Sequence, residues 1–428
     1  MQWFAAVVGL LVSCSLGCST PSISHGPHFE TPRAAIIVVT GYYGTKLARV
    51  DNGDLLWVTA SQALGGSQSL ILPLPDLGFD GVAVRPSGIL DEVSVIPWLY
   101  SVELYRPLLD QLHEFRDGYV SITSLNYDWR LDLTDAVRML SDEVRRLRSS
   151  GHRHIAIVAH SMGGLIVSYY LRYGAQDMDA AVETWEGAEQ VDQVVMAGVP
   201  FQGSMWSFRN MQYGKRIGLN RSLLGQQAMA SFPASYFTLP VLEEDVLLTA
   251  AKQPIRGMIH STIHWREQGW GLLRDAQSAS THIVAKREAY TAYWLNRSQR
   301  FFNLLHAPST VPNNRPIPVL YLFADGRPTL AGGVWIPEET GRQQGNVVFD
   351  KDQFHTRLPQ LVPELVQGDG DGTVTVRSAL LPSVYEKAFH VTTRRLQVEH
   401  MELVTGREGR CQIAGFLEAK LKEVCTPK

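Results

Sequence analysis

Apolar positions fall along the chain in short unbroken runs, and the stretches between them carry helical periodicity. Residues 35–39, 119–125, 155–159, 193–199 and 318–323 are rich in β-branched and other apolar side chains and bounded by Gly, Pro or polar clusters. That pattern predicts strands buried on both faces. Between the second and third runs, TDAVRMLSDEVRRLRSSG sets Val137, Leu140, Val144 and Leu147 at helical spacing with charges on the opposite face, and Gly151 stops the helix. Strand, helix and strand with short joints imply an α/β fold with a mostly parallel central sheet and helices on both faces. Two stretches break the rhythm. Residues 50–100 contain SLILPLPDLGF, whose prolines and apolar density suit neither a central strand nor a regular helix. Residues 201–316 form a long insertion rich in Trp, Tyr and Met. Both are expected as caps above the sheet, since insertions belong at loop ends rather than inside a packed layer.

The run 155–159 leads directly into His160, Ser161 and the pair Gly163-Gly164, then into LIVSYYLRY, a helical stretch. A serine on a sharp strand-to-helix turn is the context of a nucleophile elbow, in which small neighbours let the turn close and the helix N-terminus favours developing negative charge. A structural capping serine is the plainer reading, but strand, turn and helix all agree with the elbow. A serine hydroxyl needs a base to take its proton and a carboxylate to hold that base, in the chain order Ser, Asp or Glu, His. Among 13 histidines this order selects His400, in QVEHMEL, with Asp369 and Asp371 of GDGDGTV as the two candidate acids. His160 is set aside as the base because neighbours on a tight turn point in different directions. The oxyanion would be held by the N–H of Met162, after the serine, and that of Tyr42, in VVTGYYGTKL after the first strand. His260 and His264 stand one helical turn apart without the Glu of a zinc protease motif, so no metal and no cofactor are expected.

At 428 residues and 45% hydrophobic content the chain can bury a large core. A formal charge of -3 without single-sign runs leaves no footprint for nucleic acid. Residues 3–16 form an apolar run too short to span a bilayer, which predicts an export signal. Leu11-Val12-Ser13-Cys14 resembles a bacterial lipobox with Cys14 as the lipidated residue; Cys18 is the second candidate, and no Lys or Arg precedes Arg33. The expected organisation is a signal at 1–18, a Ser/Pro-rich linker at 19–33 and one domain at 34–428, on a protein exported and anchored in the cell envelope, or else secreted. In an oxidising compartment Cys411 and Cys425 either pair or stay free.

With these pieces placed, the sequence resembles the lecithin:cholesterol acyltransferase and phospholipase A family of α/β-hydrolases. The resemblance rests on TGYYGTKL with GDLLW, NYDWRLD, VAHSMGGL, AGVPFQGS, FPASYFTLP, GDGTV and VEHMEL, in order from about residue 35 to 420. It implies Ser161 as nucleophile, Asp371 as acid, His400 as base, and Tyr42 and Met162 as oxyanion donors, with Asp128 a structural partner for Arg130 or nearby amides. It implies a lipase-like serine hydrolase or O-acyltransferase acting on lipid esters through an acyl-serine intermediate, with contact to a membrane surface. SLILPLPDLGF would be either a membrane-touching cap or a stretch packed against the insertion. Thr40 stands where a proline usually precedes the glycine, and the paired cysteines of the animal members' cap are missing. A lipid carrier that uses the fold without catalysis is the alternative, since fold alone does not imply function.

Overall fold

The structure, a computed structural model, describes residues 34–425 apart from 67, 97–99, 116–119, 242–245, 275–277, 338–344 and 350–365. Each of the five apolar runs is a strand, and a sixth strand joins them: β1 (Ala34–Val39), β2 (Val120–Ser124), β3 (His154–His160), β4 (Gln193–Ala197), β5 (Pro318–Ala324) and β6 (His390–Leu396). They lie in the order β6-β5-β4-β3-β1-β2. Every neighbouring pair is parallel. The sixth strand, HVTTRRL, sits at the sheet edge with most side chains exposed or half-buried, so it carries no apolar run to announce it. Chain direction across the sheet reverses between β3 and β1, and in open parallel sheets the crevice at the carboxyl ends of such strands is where ligands bind.

Two helices follow the pattern read from sequence. The helix α1 (Leu133–Ser149) buries Val137, Leu140, Val144 and Leu147, and the Asp132 carboxylate caps it by accepting the Thr134 N–H at 2.9 Å. The helix α2 (Met162–Tyr173) is buried on every side. Alternate residues of β1 face opposite layers: Ala35, Ile37 and Val39 share a core with α1 and α2, whereas Ala34, Ile36 and Val38 pack with Ile413, Leu417 and Leu421.

The insertion at 201–316 contributes no strand to the main sheet among its described residues. Its longest element is α3 (Thr281–His306), and its Phe208, Trp265, Trp270 and Leu272 share a separate core with Leu77 and Phe79. The apolar stretch at 69–79 therefore packs against the insertion: Leu70, Leu72, Leu77 and Phe79 are buried, and Ile71 and Leu74 are half-buried. Arg287 of α3 holds it by donating to the Leu77 carbonyl at 3.0 Å, with its guanidinium 4.4 Å from the Phe79 ring centroid. A further excursion, not apparent from the apolar pattern, leaves the sheet after β5. Arg327–Leu330 pairs antiparallel with Gln367–Gly370, and this arm delivers the GDGTV loop to the sheet's carboxyl edge.

The expected export signal at 1–18, with Cys14 and Cys18, and the expected linker at 19–33 lie outside the described residues. Among the described residues no helix is long and apolar enough to cross a membrane. Cys411 and Cys425 both belong to α4 (Arg407–Cys425). At a rise of about 1.5 Å per residue they stand about 21 Å apart, beyond the reach of a disulfide within the chain, and Cys411 is free and exposed.

Candidate active site

β3 ends at His160, α2 begins at Met162, and Ser161 alone makes the turn with φ 55° and ψ -129°. A non-glycine residue there carries strain of about 1–3 kcal/mol, which persists only where the surroundings impose it. Here they do: Ser161 N–H donates to the Ala197 carbonyl of β4 at 2.8 Å, and its own carbonyl accepts from Gly164 N–H at 2.9 Å. The paired glycines are a packing requirement. A Cβ on Gly163 would lie 2.4 Å from the Val39 carbonyl oxygen, and one on Gly164 would lie 2.1 Å from Val199 Cγ2.

The loop after β1 lies against this turn, so close that a Cβ on Gly41 would come within 2.7 Å of Ser161 Cβ. Tyr42 follows. Its N–H and that of Met162 donate to no acceptor among the described residues.

His400 reaches the crevice from the loop after β6, and its Nδ1–H donates to Asp371 Oδ2 at 2.7 Å. The other carboxylate oxygen, Oδ1, accepts the N–H groups of Thr373 at 2.9 Å and Val374 at 2.7 Å. Burial alone would raise the Asp371 pKa, but the His400 imidazole and these amides outweigh it and hold the carboxyl below its usual range. Asp369 points elsewhere: it accepts Gly326 N–H at 2.6 Å and is 3.7 Å from Arg395, half-exposed. Of the two acids left open by the residue pattern, Asp371 is the one paired with His400. Neither Ser161 Oγ nor His400 Nε2 has a hydrogen-bond partner among the described residues. Such a link commonly forms or tightens only with substrate bound.

The motifs scattered along the chain hold one another. Tyr127 and Trp129 of NYDWRLD donate to the carbonyls of Thr40 at 2.7 Å and Thr45 at 2.9 Å, under the TGYYGTKL loop. Asp128 pairs with Arg130 at 2.7 Å, as expected, and Arg130 also donates to the Leu70 carbonyl at 2.9 Å. Ser235 of FPASYFTLP gives its proton to the Met229 carbonyl and so accepts from the Tyr42 hydroxyl at 2.8 Å. Ser204 of AGVPFQGS donates to the Thr373 carbonyl at 2.9 Å, and Trp206 Nε1–H to that of Gly372 at 3.1 Å.

A cavity of about 240 Å³ opens over Ser161, walled by Tyr42, Met162, Trp206, Lys215 and Thr373 among others. Lys215 carries no marker in the sequence. Its ammonium stands 4.8 Å from the Tyr43 ring centroid with no carboxylate paired to it among the described residues, and burial, then Arg209, lowers its pKa.

An all-parallel sheet of this order, with helices on both faces and a strained serine turn at its switch point, is the architecture of an α/β-hydrolase. The family model described as lecithin:cholesterol acyltransferase matches residues 79–407, and the chain belongs to that family. Membership places it among hydrolases and acyltransferases of lipid esters. Among solved structures, a chain of the Tle4–Tli4 complex superposes with a TM-score of 0.53 at 14% identity, covering 92% of this chain and 99% of that one. The mature form of the lipase BlEst2 from Bacillus licheniformis gives 0.35 at 12% identity, covering 92% and 94%. No curated protein matches the chain.

Proposed function

We propose that the protein is a serine-dependent lipid acyl hydrolase or acyltransferase. His400 takes the Ser161 proton as the hydroxyl attacks an ester carbonyl, the Tyr42 and Met162 amides hold the oxyanion, and Asp371 steadies the imidazolium. The acyl-serine passes to water or to an alcohol, according to how well the cap excludes the one and binds the other. The observation that carries this reading is the 2.7 Å bond from His400 to Asp371, in the crevice beside the strained serine turn. Incubation with phospholipid vesicles, with and without a sterol, tests it: free fatty acid or a new ester is expected, and absence of both would count against the reading.

Lys215 supports an ester that carries an anionic group such as a phosphate, because an ammonium in the cavity with no carboxylate paired to it among the described residues gains a charge-assisted contact from it. Lys215→Met is expected to raise KM for phospholipid roughly tenfold while leaving that for an uncharged p-nitrophenyl ester within a factor of two. An equal change for both substrates would remove Lys215 from recognition. Export and anchoring through Cys14 belong to the same reading, on the strength of the apolar leader and lipobox-like residues. Cys14→Ala is expected to lose incorporation of labelled palmitate; retention of the label would move the anchor to Cys18.

A further inference from the structure

His160 is a buried, titratable side chain for which the acyl-transfer scheme has no use. Its position one residue before Ser161 excludes it as the base, yet it is 3% exposed and fully engaged. Its Nδ1 lies 2.8 Å from the Tyr105 hydroxyl, its Nε2 lies 3.1 Å from the His400 backbone carbonyl, and the Tyr105 oxygen is 3.1 Å from the Gly41 amide. The proton positions along this chain follow from its two ends, since a backbone amide can only donate and a carbonyl can only accept. Gly41 N–H donates to Tyr105 Oη, Tyr105 O–H donates to His160 Nδ1, and His160 Nε2–H donates to the His400 carbonyl. Of the two neutral tautomers only the one protonated on Nε2 makes all three bonds, and it leaves Nδ1 free to accept the Tyr105 proton. Burial, and secondarily the neighbouring His400 ring, lower the His160 pKa to about 3, which keeps the ring uncharged at neutral pH.

We propose that Tyr105 and His160 are positioning residues that brace the oxyanion loop and the proposed base His400 against the nucleophile strand through this one-directional chain of hydrogen bonds. The inference rests on the roles proposed above for Ser161, His400 and Tyr42. At one end the chain pins Gly41, the residue before Tyr42, where an added Cβ would come within 2.7 Å of Ser161 Cβ. At the other it pins the His400 carbonyl, while the His400 amide is pinned by the Asp371 carbonyl at 3.0 Å, so the backbone of His400 is held on both sides. The His160 and His400 rings pack with centroids 4.7 Å apart, and Tyr105 meets His160 edge to face at 5.8 Å. Both braced groups matter only when charge develops, one as the oxyanion donor's neighbour and the other as proton acceptor. Loosening them therefore raises the barrier without weakening ground-state binding.

Tyr105→Phe keeps the ring and removes the central hydroxyl. It is expected to lower kcat about 10- to 100-fold with KM within a factor of two, a fraction of the loss from deleting an oxyanion donor outright. Affinity for a trifluoromethyl ketone, which adds reversibly to Ser161 as a tetrahedral oxyanion, is expected to fall by the same factor as kcat/KM. A carboxamide offers an acceptor and a donor, so His160→Gln is expected to retain more activity than His160→Leu. If His160→Leu does not fold, the Tyr105→Phe and His160→Gln measurements decide alone. Wild-type kcat in Tyr105→Phe, or a loss that appears in KM with ketone affinity unchanged, would overturn the brace. Activity in Ser161→Ala within about tenfold of the wild type would instead overturn the scheme on which it rests.

Discussion

Ser161→Ala is expected to abolish covalent labelling by a fluorophosphonate and to lower turnover by about 10⁴- to 10⁶-fold, because the members of such a triad act as a unit. The substitution removes a hydroxyl that has no hydrogen-bond partner among the described residues and leaves the turn, set by the Ala197 carbonyl and the Gly164 amide, as it was. Stability should therefore hold, and affinity for a non-hydrolysable ether lipid with it. Any residual rate would come from the oxyanion amides and binding alone. Labelling that persists in the variant would place the nucleophile elsewhere, and a wild-type protein that never takes the label would favour the lipid carrier.

Asp371→Asn carries the second large effect, and its cause can be worked out atom by atom. The Oδ1 position faces two N–H donors, from Thr373 and Val374, so the amide oxygen must sit there. The amide nitrogen is then forced to the Oδ2 position, where it confronts His400 Nδ1 with a donor. The imidazole answers by carrying its proton on Nε2, the tautomer that cannot accept from a serine. A loss of about 10⁴-fold in kcat is expected, with the fold intact. Asp369→Asn should change kcat by less than about threefold, since that side chain is half-exposed, accepts from Gly326 and faces Arg395 at 3.7 Å instead. A larger loss at Asp369 would reverse the assignment. The depressed Asp371 pKa also has a defined sign in acid: its contribution to stability is present above the unfolded carboxyl value of 3.8 and fades as pH falls through the lower folded one.

Several features were legible because they are local. Four of the five runs needed no partner to be recognised, as a strand buried on both faces must be apolar throughout, whereas Val120–Ser124 lies at the other edge of the sheet with only Val120 buried, so the expectation of burial on both faces fails there. The elbow was legible for the same reason: a strand end, a serine and small residues are consecutive. The edge strand His390–Leu396 escaped because its exposed side chains follow no apolar rule. The arm formed by Arg327–Leu330 and Gln367–Gly370 escaped because its pairing spans a long excursion. Lys215 and Tyr105 escaped because nothing in their neighbours along the chain marks a residue that meets the site through space.

By itself the sequence settled the chemistry available: a serine on a turn too tight for larger neighbours, a histidine and aspartates downstream in a workable order, and the runs from which a parallel sheet must be built. Those properties follow from backbone sterics and the period of apolar positions, which act over a few residues. Tertiary structure alone decided that the stretch at 69–79 turns inward beneath α3, that Cys411 and Cys425 stand too far apart to join, and that His160 is linked to both Tyr105 and the His400 carbonyl, while it set Asp371, the acid the resemblance had implied, against His400. Each of these depends on distances between segments far apart in the chain, which only the closing of the whole core establishes.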